Sequence, residues 1–137
     1  MVQIVKVDNY VDRENSYTQA VDLLKSEQVV AFPTETVYGL GAIATSEQAV
    51  AKIFEAKGRP SDNPLIVHVG TIEEVTQYVE EISPVAKHCM EAFWPGPLTL
   101  VMKAKTGVLA SNVTAGLETV GIRMPDHPVA LELLQKL

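Results

Sequence analysis

The sequence has few of the residues that mark disulfide-bonded, metal-binding or nucleic-acid-coating proteins. Its single cysteine, Cys89, excludes an internal disulfide, and the three histidines form no zinc-ligand spacing with it. Eleven Lys and Arg against 17 Asp and Glu give a formal charge of −6. That balance argues against nucleic-acid binding through bulk electrostatics, which needs many clustered cations. A chain this poor in cysteine fits a reducing compartment.

Long apolar runs are also missing. No stretch approaches the roughly 20 apolar residues that a membrane-spanning helix needs. Met1 is followed by the alternating VQIVKV rather than by a basic region and an apolar core, so we expect no signal peptide. The hydrophobic content of 47% suits a buried core rather than disorder. We therefore predict one cytoplasmic domain over residues 1–137.

The pattern of the chain indicates an α/β protein. Strands are predicted at VQIVKV, VVAFP, LIVHVG, LTLVMK and TVGIRM, and LIVHVG, apolar on both faces, is expected to be a central strand. Helices are predicted at TQAVDLLKSE, SEQAVAKIFEAKG, TIEEVTQYVE, PVAKHCMEAFW and DHPVALELLQKL. This alternation favours a sheet covered by helices, although it does not give the strand order.

Two helix boundaries carry specific expectations. Ser46 is the candidate N-cap of the second helix, and Gly58 is expected to end it. Asp126 is the candidate N-cap of the last helix, with Pro128 in its first turn. That helix reaches Leu137 with no closing Gly, Asn or Pro, so we expect the native domain to continue beyond it.

The first site candidate is FPTETVYGLGA, residues 32–42. Thr34 and Thr36 flank Glu35 at the end of a strand, where ligands of α/β sheets usually bind. The competing interpretation is a Pro turn whose hydroxyls bond the local backbone. The stretch lacks a third glycine for a dinucleotide fingerprint, and the chain contains no Gly-Lys-Ser/Thr of a P-loop.

The second candidate is EAKGRPSDNPLIVHV, residues 55–69. Lys57 suits the last turn of a helix, and Gly58 suits a left-handed cap. Arg59 and Asn63 are less well explained by a helix end, and Lys57 with Arg59 could hold phosphates. A strand histidine such as His68 is more often a core group than a catalyst, although it lies near the carboxyl end of its strand.

The third candidate is TAGLETVGIRMPDHP, residues 114–128. Arg123 closes an inner strand and needs an anionic partner, because burying it unpaired is costly. Asp126 is one candidate partner, and a substrate carboxylate is the other. WPGPLTLV, residues 94–101, is interpreted as a scaffold turn that could line the pocket.

Taken together, these four stretches resemble the threonylcarbamoyl-AMP synthase family, the YrdC-type domain, over roughly residues 20 to 137. The resemblance implies a twisted open mixed sheet with helices packed on it and a concave ligand cavity. It also implies the condensation of L-threonine, bicarbonate and ATP to threonylcarbamoyl-AMP and pyrophosphate, with Mg²⁺ on the triphosphate. The product would feed tRNA threonylcarbamoyladenosine modification through downstream proteins.

The resemblance also assigns residues. It places Lys57, Arg59, Asn63 and Thr119 on ATP. Around the threonine it places Thr36, His68 and Arg123, with Arg123 on the substrate carboxylate. It implies no covalent nucleophile and no metal ligand from the protein.

One part of the family pattern departs from this sequence. A second signature, Ser-x-Asn after a further strand, is expected beyond Leu137, and Ser61-Asp62-Asn63 matches its letters but belongs to the first motif. The chain thus resembles the amino-terminal part of a catalytic domain. The alternative from another class is an RNA-binding module of the same type, against which the acidic charge and the lack of an aromatic-basic stripe count. The similar domain of hydrogenase-maturation carbamoyltransferases would be accompanied by zinc-finger and acylphosphatase segments, which are not found here.

Overall fold

The computed structural model describes residues 10–58 and 64–137. Within this part of the chain the helices are α1 (Tyr10–Lys25), α2 (Glu47–Lys57), α3 (Pro84–Phe93), α4 (Ser111–Thr114) and α5 (Pro128–Lys136). The strands are β1 (Val30–Phe32), β2 (Gly39–Gly41), β3 (Ile66–His68), β4 (Leu100–Lys103) and β5 (Thr119–Arg123). The predicted VQIVKV strand lies outside the described residues.

The strands form two sheets, one of which is mixed. β1 and β2 pair as an antiparallel hairpin, in which Phe32 lies opposite Gly39. The other sheet has the order β3-β5-β4, with β3 parallel and β4 antiparallel to β5. The predicted α/β class with a mixed sheet is confirmed.

The core lies beneath one face of the three-stranded sheet. Val67, Met102, Val120 and Ile122 point to this face because side chains alternate along a strand, and all four are buried. They join a cluster with side chains of α2 and α3, including Val50, Phe54, Met90 and Trp94. A second cluster packs α1 and α5 against Phe32. We call the opposite face of the sheet the open face, because Ile66 and Val101 on it are exposed.

Helix α2 forms as the sequence predicts. The Ser46 side chain accepts a hydrogen bond from the Ala49 amide, and buried residues on one face anchor the helix in the core. Gly58 closes it in the left-handed conformation with φ 64°, a region that costs a residue with a Cβ about 1 kcal/mol or more. The backbone position of Lys57, in the last turn, is therefore fixed by the capped end of the helix.

Three expectations about elements were wrong, and a fourth was confirmed over a shorter range. TIEEVTQYVE is helical as predicted, in the form of a 3₁₀ helix over Glu73–Gln77. Helix α1 extends well before the predicted TQAVDLLKSE and ends at Lys25. β3 lies at an edge of the described sheet, and β5 is central. His127, not Asp126, caps α5, since its side chain accepts from the Val129 amide at 3.2 Å.

Within the same described residues, no helix combines the length and the apolar character that a membrane span requires.

Candidate active site

The candidate site begins on the open face of the three-stranded sheet. Ile66 and His68 of β3 lie opposite Gly121 and Arg123 of β5, and strand alternation places all four side-chain positions on this face. Gly121 leaves its part of the face without a side chain. Thr119 lies on the same face at the far end of β5, about 13 Å from Arg123 at the usual strand rise. The face therefore offers a long floor with a cation at one end.

His68 and Arg123 are neighbours at the carboxyl ends of two parallel strands. They are register partners, so their side chains leave the sheet side by side. The ring of Phe32 meets the His68 imidazole edge to face, with ring centroids 5.9 Å apart and an interplanar angle of 84°. The β1–β2 hairpin thus packs against the carboxyl end of β3 through Phe32.

The turn Trp94–Leu98 holds the Arg123 side chain in place. Arg123 Nε donates to the Gly96 carbonyl at 3.0 Å, and the Gly96 amide donates to Met124 O at 2.8 Å. The Trp94 indole N–H donates to Leu98 O at 2.8 Å and closes the turn on itself. WPGPLTLV is therefore scaffold, as predicted, and its specific role is to fix the guanidinium.

Glu35 is the anionic partner of Arg123. Its Oε1 pairs with Arg123 Nη2, and its Oε2 accepts the Asp126 backbone N–H at 2.7 Å. The side chains are 11% exposed for Arg123 and 23% exposed for Glu35. The expectation that Asp126 could balance Arg123 was wrong, because Asp126 contributes a backbone donor to the same carboxylate. Burial raises the pKa of Glu35, but hydrogen bonds from Asp126 and Arg123 outweigh it, so the pKa lies below its usual value.

Thr36 lies in a turn that precedes the hairpin strand β2. The Thr34 hydroxyl donates to Val37 O at 2.6 Å and accepts from the Thr36 and Val37 amides, each at 3.3 Å. The Thr34 and Thr36 hydroxyl oxygens are 3.1 Å apart. Thr36 itself is exposed. The local interpretation of the PTET stretch is confirmed for Thr34, whose hydroxyl bonds the local backbone, while Glu35 of the same stretch reaches Arg123.

The environment keeps His68 neutral near pH 7. Burial and the positive charge of Arg123 lower the pKa of His68 from 6.5 to about 4, while Glu35 and a backbone hydrogen bond at Ile66 act in the opposite sense. A neutral imidazole both donates and accepts a hydrogen bond. It can therefore contact a polar substrate without adding a second positive charge beside Arg123.

A concave cavity of about 640 Å³ adjoins this region. Its lining combines the β2 hairpin with apolar side chains of α2, and it includes both Lys57 and His68. These two residues, predicted from separate stretches, are brought to one cavity. The predicted concave cavity is thereby confirmed, with a volume typical of small-molecule sites.

The other predicted site residues are placed differently. Arg123, Thr36 and Thr119 are not among the residues that line this cavity, although Arg123 is next to His68 and Thr119 shares its sheet face. Arg59 and Asn63 lie outside the described residues. His68 thus shares the cavity lining with Lys57, and it is paired with Arg123 across strands β3 and β5.

Sequence reasoning missed two carboxylate roles. Glu35 was noted between two threonines but not as the partner of Arg123, a contact between residues far apart in the chain. Glu74 lines the cavity and accepts the Gly70 amide at 3.3 Å. Burial raises the pKa of Glu74 despite that bond and others at Thr71. Glu74 lies in the 3₁₀ helix Glu73–Gln77, and the sequence pattern of this stretch did not indicate which of its side chains faces the cavity.

Comparisons with known proteins identify relatives of this chain. A family model named Sua5_yciO_yrdC and described as telomere recombination matches residues 22–137. A threonylcarbamoyl-AMP synthase of Bacillus subtilis is 54% identical over 129 residues, which cover 94% of this chain and 37% of the relative. One from Pyrococcus abyssi is 51% identical over 116 residues, 85% of this chain and 34% of the relative.

A solved structure matches as well. The crystal structure of P. abyssi Sua5 complexed with L-threonine superimposes with a TM-score of 0.86 and 48% identity, covering 89% of this chain and 36% of that one.

These findings define an α/β protein with a mixed sheet and a concave cavity beside strand β3. The chain belongs to the Sua5/YciO/YrdC family. It spans about a third of the length of the two curated relatives described above.

Proposed function

We propose that this chain takes part in the synthesis of L-threonylcarbamoyladenylate from L-threonine, bicarbonate and ATP, with release of pyrophosphate. The observation that carries the proposal is the adjacent pair His68 and Arg123, of which His68 lines a cavity that Lys57 also lines. Support comes from relatives named threonylcarbamoyl-AMP synthase and from a similar structure that holds L-threonine. For this chain, both the activity named for the relatives and its substrates are part of our proposal.

The threonine subsite is formed by Arg123, His68 and Thr36. An arginine whose plane is fixed by the Gly96 carbonyl suits a carboxylate, because guanidinium and carboxylate match in shape and charge. Neutral His68 offers a hydrogen bond to the hydroxyl or the amine of the same molecule. Thr36 offers an exposed hydroxyl on the turn that Glu35 holds close to Arg123.

The ATP subsite uses Lys57, with Arg59, Asn63 and Thr119 as further proposed contacts. Lys57 reaches the cavity from the end of α2 and supplies a point charge for phosphate. Thr119 would contact the nucleotide from the far end of the open sheet face. This chain would thus supply the threonine side and part of the ATP site.

Mg²⁺ is proposed to arrive with the triphosphate. This ion usually keeps several waters and takes phosphate oxygens with one or two carboxylates. Within residues 10–58 and 64–137, no three His, Cys, Asp or Glu side chains are grouped to hold a metal. No protein ligand is proposed for the ion.

The reaction needs positioning and charge stabilisation more than a covalent nucleophile. The threonine nitrogen attacks the bicarbonate carbon and water leaves, which gives a carbamate. A carbamate oxygen then attacks the α-phosphorus, and the bond to pyrophosphate breaks. Carboxylate, carbamate and triphosphate crowd negative charge into one region, so fixed cations such as Arg123 and Lys57 stabilise the transition state. Holding the unstable carbamate beside ATP and away from water supplies the rest.

The setting of this activity is also part of the proposal. The protein is placed in the cytoplasm as one domain, and its product passes to proteins that modify tRNA. Its formal charge of −6 gives no reason to expect strong direct binding to the tRNA itself.

The test is pyrophosphate release that depends on both threonine and bicarbonate. The chain would be compared with a version extended through a Ser-x-Asn strand and with the full-length Bacillus subtilis relative as a positive control. Release by the extended version that stops when either substrate is omitted supports the proposal. ATP hydrolysis indifferent to threonine would contradict it.

An RNA titration separates the alternative function. The enzyme proposal expects weak RNA binding, whatever the salt concentration. Tight binding that falls steeply with salt, in a chain that binds neither ATP nor threonine, would replace the proposal with an RNA-binding role.

A further inference from the structure

Glu35 connects two parts of the proposed threonine subsite. One carboxylate oxygen pairs with the Arg123 guanidinium at the end of β5, and the other accepts the Asp126 amide two residues after Met124. Each oxygen therefore has a different donor. A carboxylate held in this way fixes both the side chain of the strand's last residue and the backbone that follows it.

The turn that carries Glu35 has no other described anchor of this kind. The other side-chain hydrogen bonds described for Thr34–Val37 are local and join Thr34 to Thr36 and Val37. Val37 and Tyr38 extend into solvent and are 73% and 78% exposed. Glu35 is therefore the side chain that sets where Thr36 lies relative to Arg123.

We infer that Glu35 is a positioning residue for the threonine subsite and acts through Arg123. This inference rests on the proposed function. With Nε on Gly96 and Nη2 on Glu35, the guanidinium is held in one plane before any ligand arrives. Binding then loses less side-chain freedom than it would with a mobile arginine. The same carboxylate keeps the Thr36 turn within reach of a ligand on Arg123.

A competing role for Glu35 makes the opposite prediction. If its carboxylate merely blocked Arg123 in place of a substrate, its removal would strengthen threonine binding. If it positions Arg123, its removal weakens threonine binding. The sign of the change separates the two roles.

The first experiment is calorimetric titration of threonine and of ATP. Glu35→Gln should weaken threonine binding roughly five- to tenfold, the range expected for ordering one long side chain, and leave ATP affinity unchanged. Adding Glu35→Gln to Arg123→Ala should cost little more than Arg123→Ala alone, because the two residues act as a unit. Glu14→Gln is the matched control, since Glu14 pairs with Lys136 on the surface between α1 and α5.

The second experiment needs no ligand and no variant. In the wild-type chain, the amide resonance of Asp126 and the Nη2–H resonance of Arg123 should follow one titration, that of the Glu35 carboxylate, below its ordinary pKa. Independent titration of the two resonances would overturn the contact on which the inference depends, even if Glu35→Gln fails to fold.

The outcomes are distinguishable. Unchanged or tighter threonine binding by Glu35→Gln overturns the positioning role and leaves the proposed function standing. Additive losses in the double variant also overturn it. A wild-type chain that binds ATP but no threonine overturns the proposed threonine subsite, and the positioning role with it.

Discussion

His68 lies directly opposite Arg123 on the parallel strands β3 and β5, and the imidazole is held neutral beside the guanidinium. The arrangement puts one positive charge and one neutral hydrogen-bonding group at the same end of the sheet. Glu35 balances the positive charge from the side of the hairpin. A small zwitterion or carboxylate can therefore meet a cation, a neutral polar ring and a fixed carboxylate within one short stretch of surface.

Replacing Arg123 with alanine should separate the two substrates. We expect threonine affinity to fall about ten- to a hundredfold, the value of a hydrogen bond to a charged group, with ATP affinity largely intact. Isothermal titration of each ligand checks this. Lys87→Ala is the matched control, because Lys87 is an exposed cation on helix α3. Equal losses for threonine and ATP would contradict the assignment of Arg123 to the carboxylate.

His68 predicts a specific pH dependence of stability. Its pKa is about 4 in the folded protein and 6.5 ordinarily, so between these values the unfolded chain binds the proton. The stabilisation is complete above pH 6.5 and declines as the pH falls toward 4. Between pH 7 and pH 5 the free energy of unfolding should drop by about 2 kcal/mol because of this group.

Urea unfolding at pH 7 and pH 5 measures that drop. Glu35 contributes little to this drop, because the window lies above its ordinary pKa of 4.5. Burial raises the pKa of Glu74, so that carboxyl changes the stability in the opposite sense as the pH falls. His68→Gln should remove most of the difference, whereas His88→Gln, at an exposed position on α3, should keep it. A His68→Gln protein with the full pH dependence would mean that His68 is not the responsible group.

Local signals in the sequence predicted a large part of this fold. Ser46 and Gly58 bound helix α2 as expected, because caps depend on a few neighbouring residues. The open-face position of His68 and the turn at Gly96 also follow from short patterns. The mixed sheet and cavity came from the family resemblance rather than from spacing.

Contacts between distant segments could not be predicted in the same way. The sequence offers Asp126 as a nearby partner for Arg123, whereas in the structure Arg123 pairs with Glu35, which lies between β1 and β2. β3 is as apolar as a central strand but lies at an edge of the described sheet, where Ile66 is exposed. Such pairings depend on tertiary packing, which single-sequence periodicity does not contain.

Replacing Gly58 should lower the affinity for ATP. Its φ of 64° disfavours a residue with a Cβ, so Gly58→Ala should destabilise the chain by about 1 kcal/mol and disturb the path that follows Lys57. ATP affinity should fall, while threonine affinity should change little. Gly58→Asn is the control, since asparagine tolerates the left-handed region better. If alanine and asparagine behave alike in unfolding and in ATP titrations, the left-handed cap is not what directs Lys57.

Replacing Gly41 in the β1–β2 hairpin should disturb the packing around His68. A Cβ at Gly41 would lie 2.7 Å from Cε1 of Phe32, whose ring packs on the His68 imidazole. Gly41→Ala should therefore displace the ring and lower stability by about 1–3 kcal/mol, as overpacking does. Gly39→Ala is a matched control on the same strand, because its Cβ would meet the same ring at an ordinary 3.4 Å. Thermal unfolding measures the stability, and the proton resonances of the His68 ring report the displacement. A Gly41→Ala protein with the stability and His68 resonances of Gly39→Ala would show that the hairpin does not depend on this close approach.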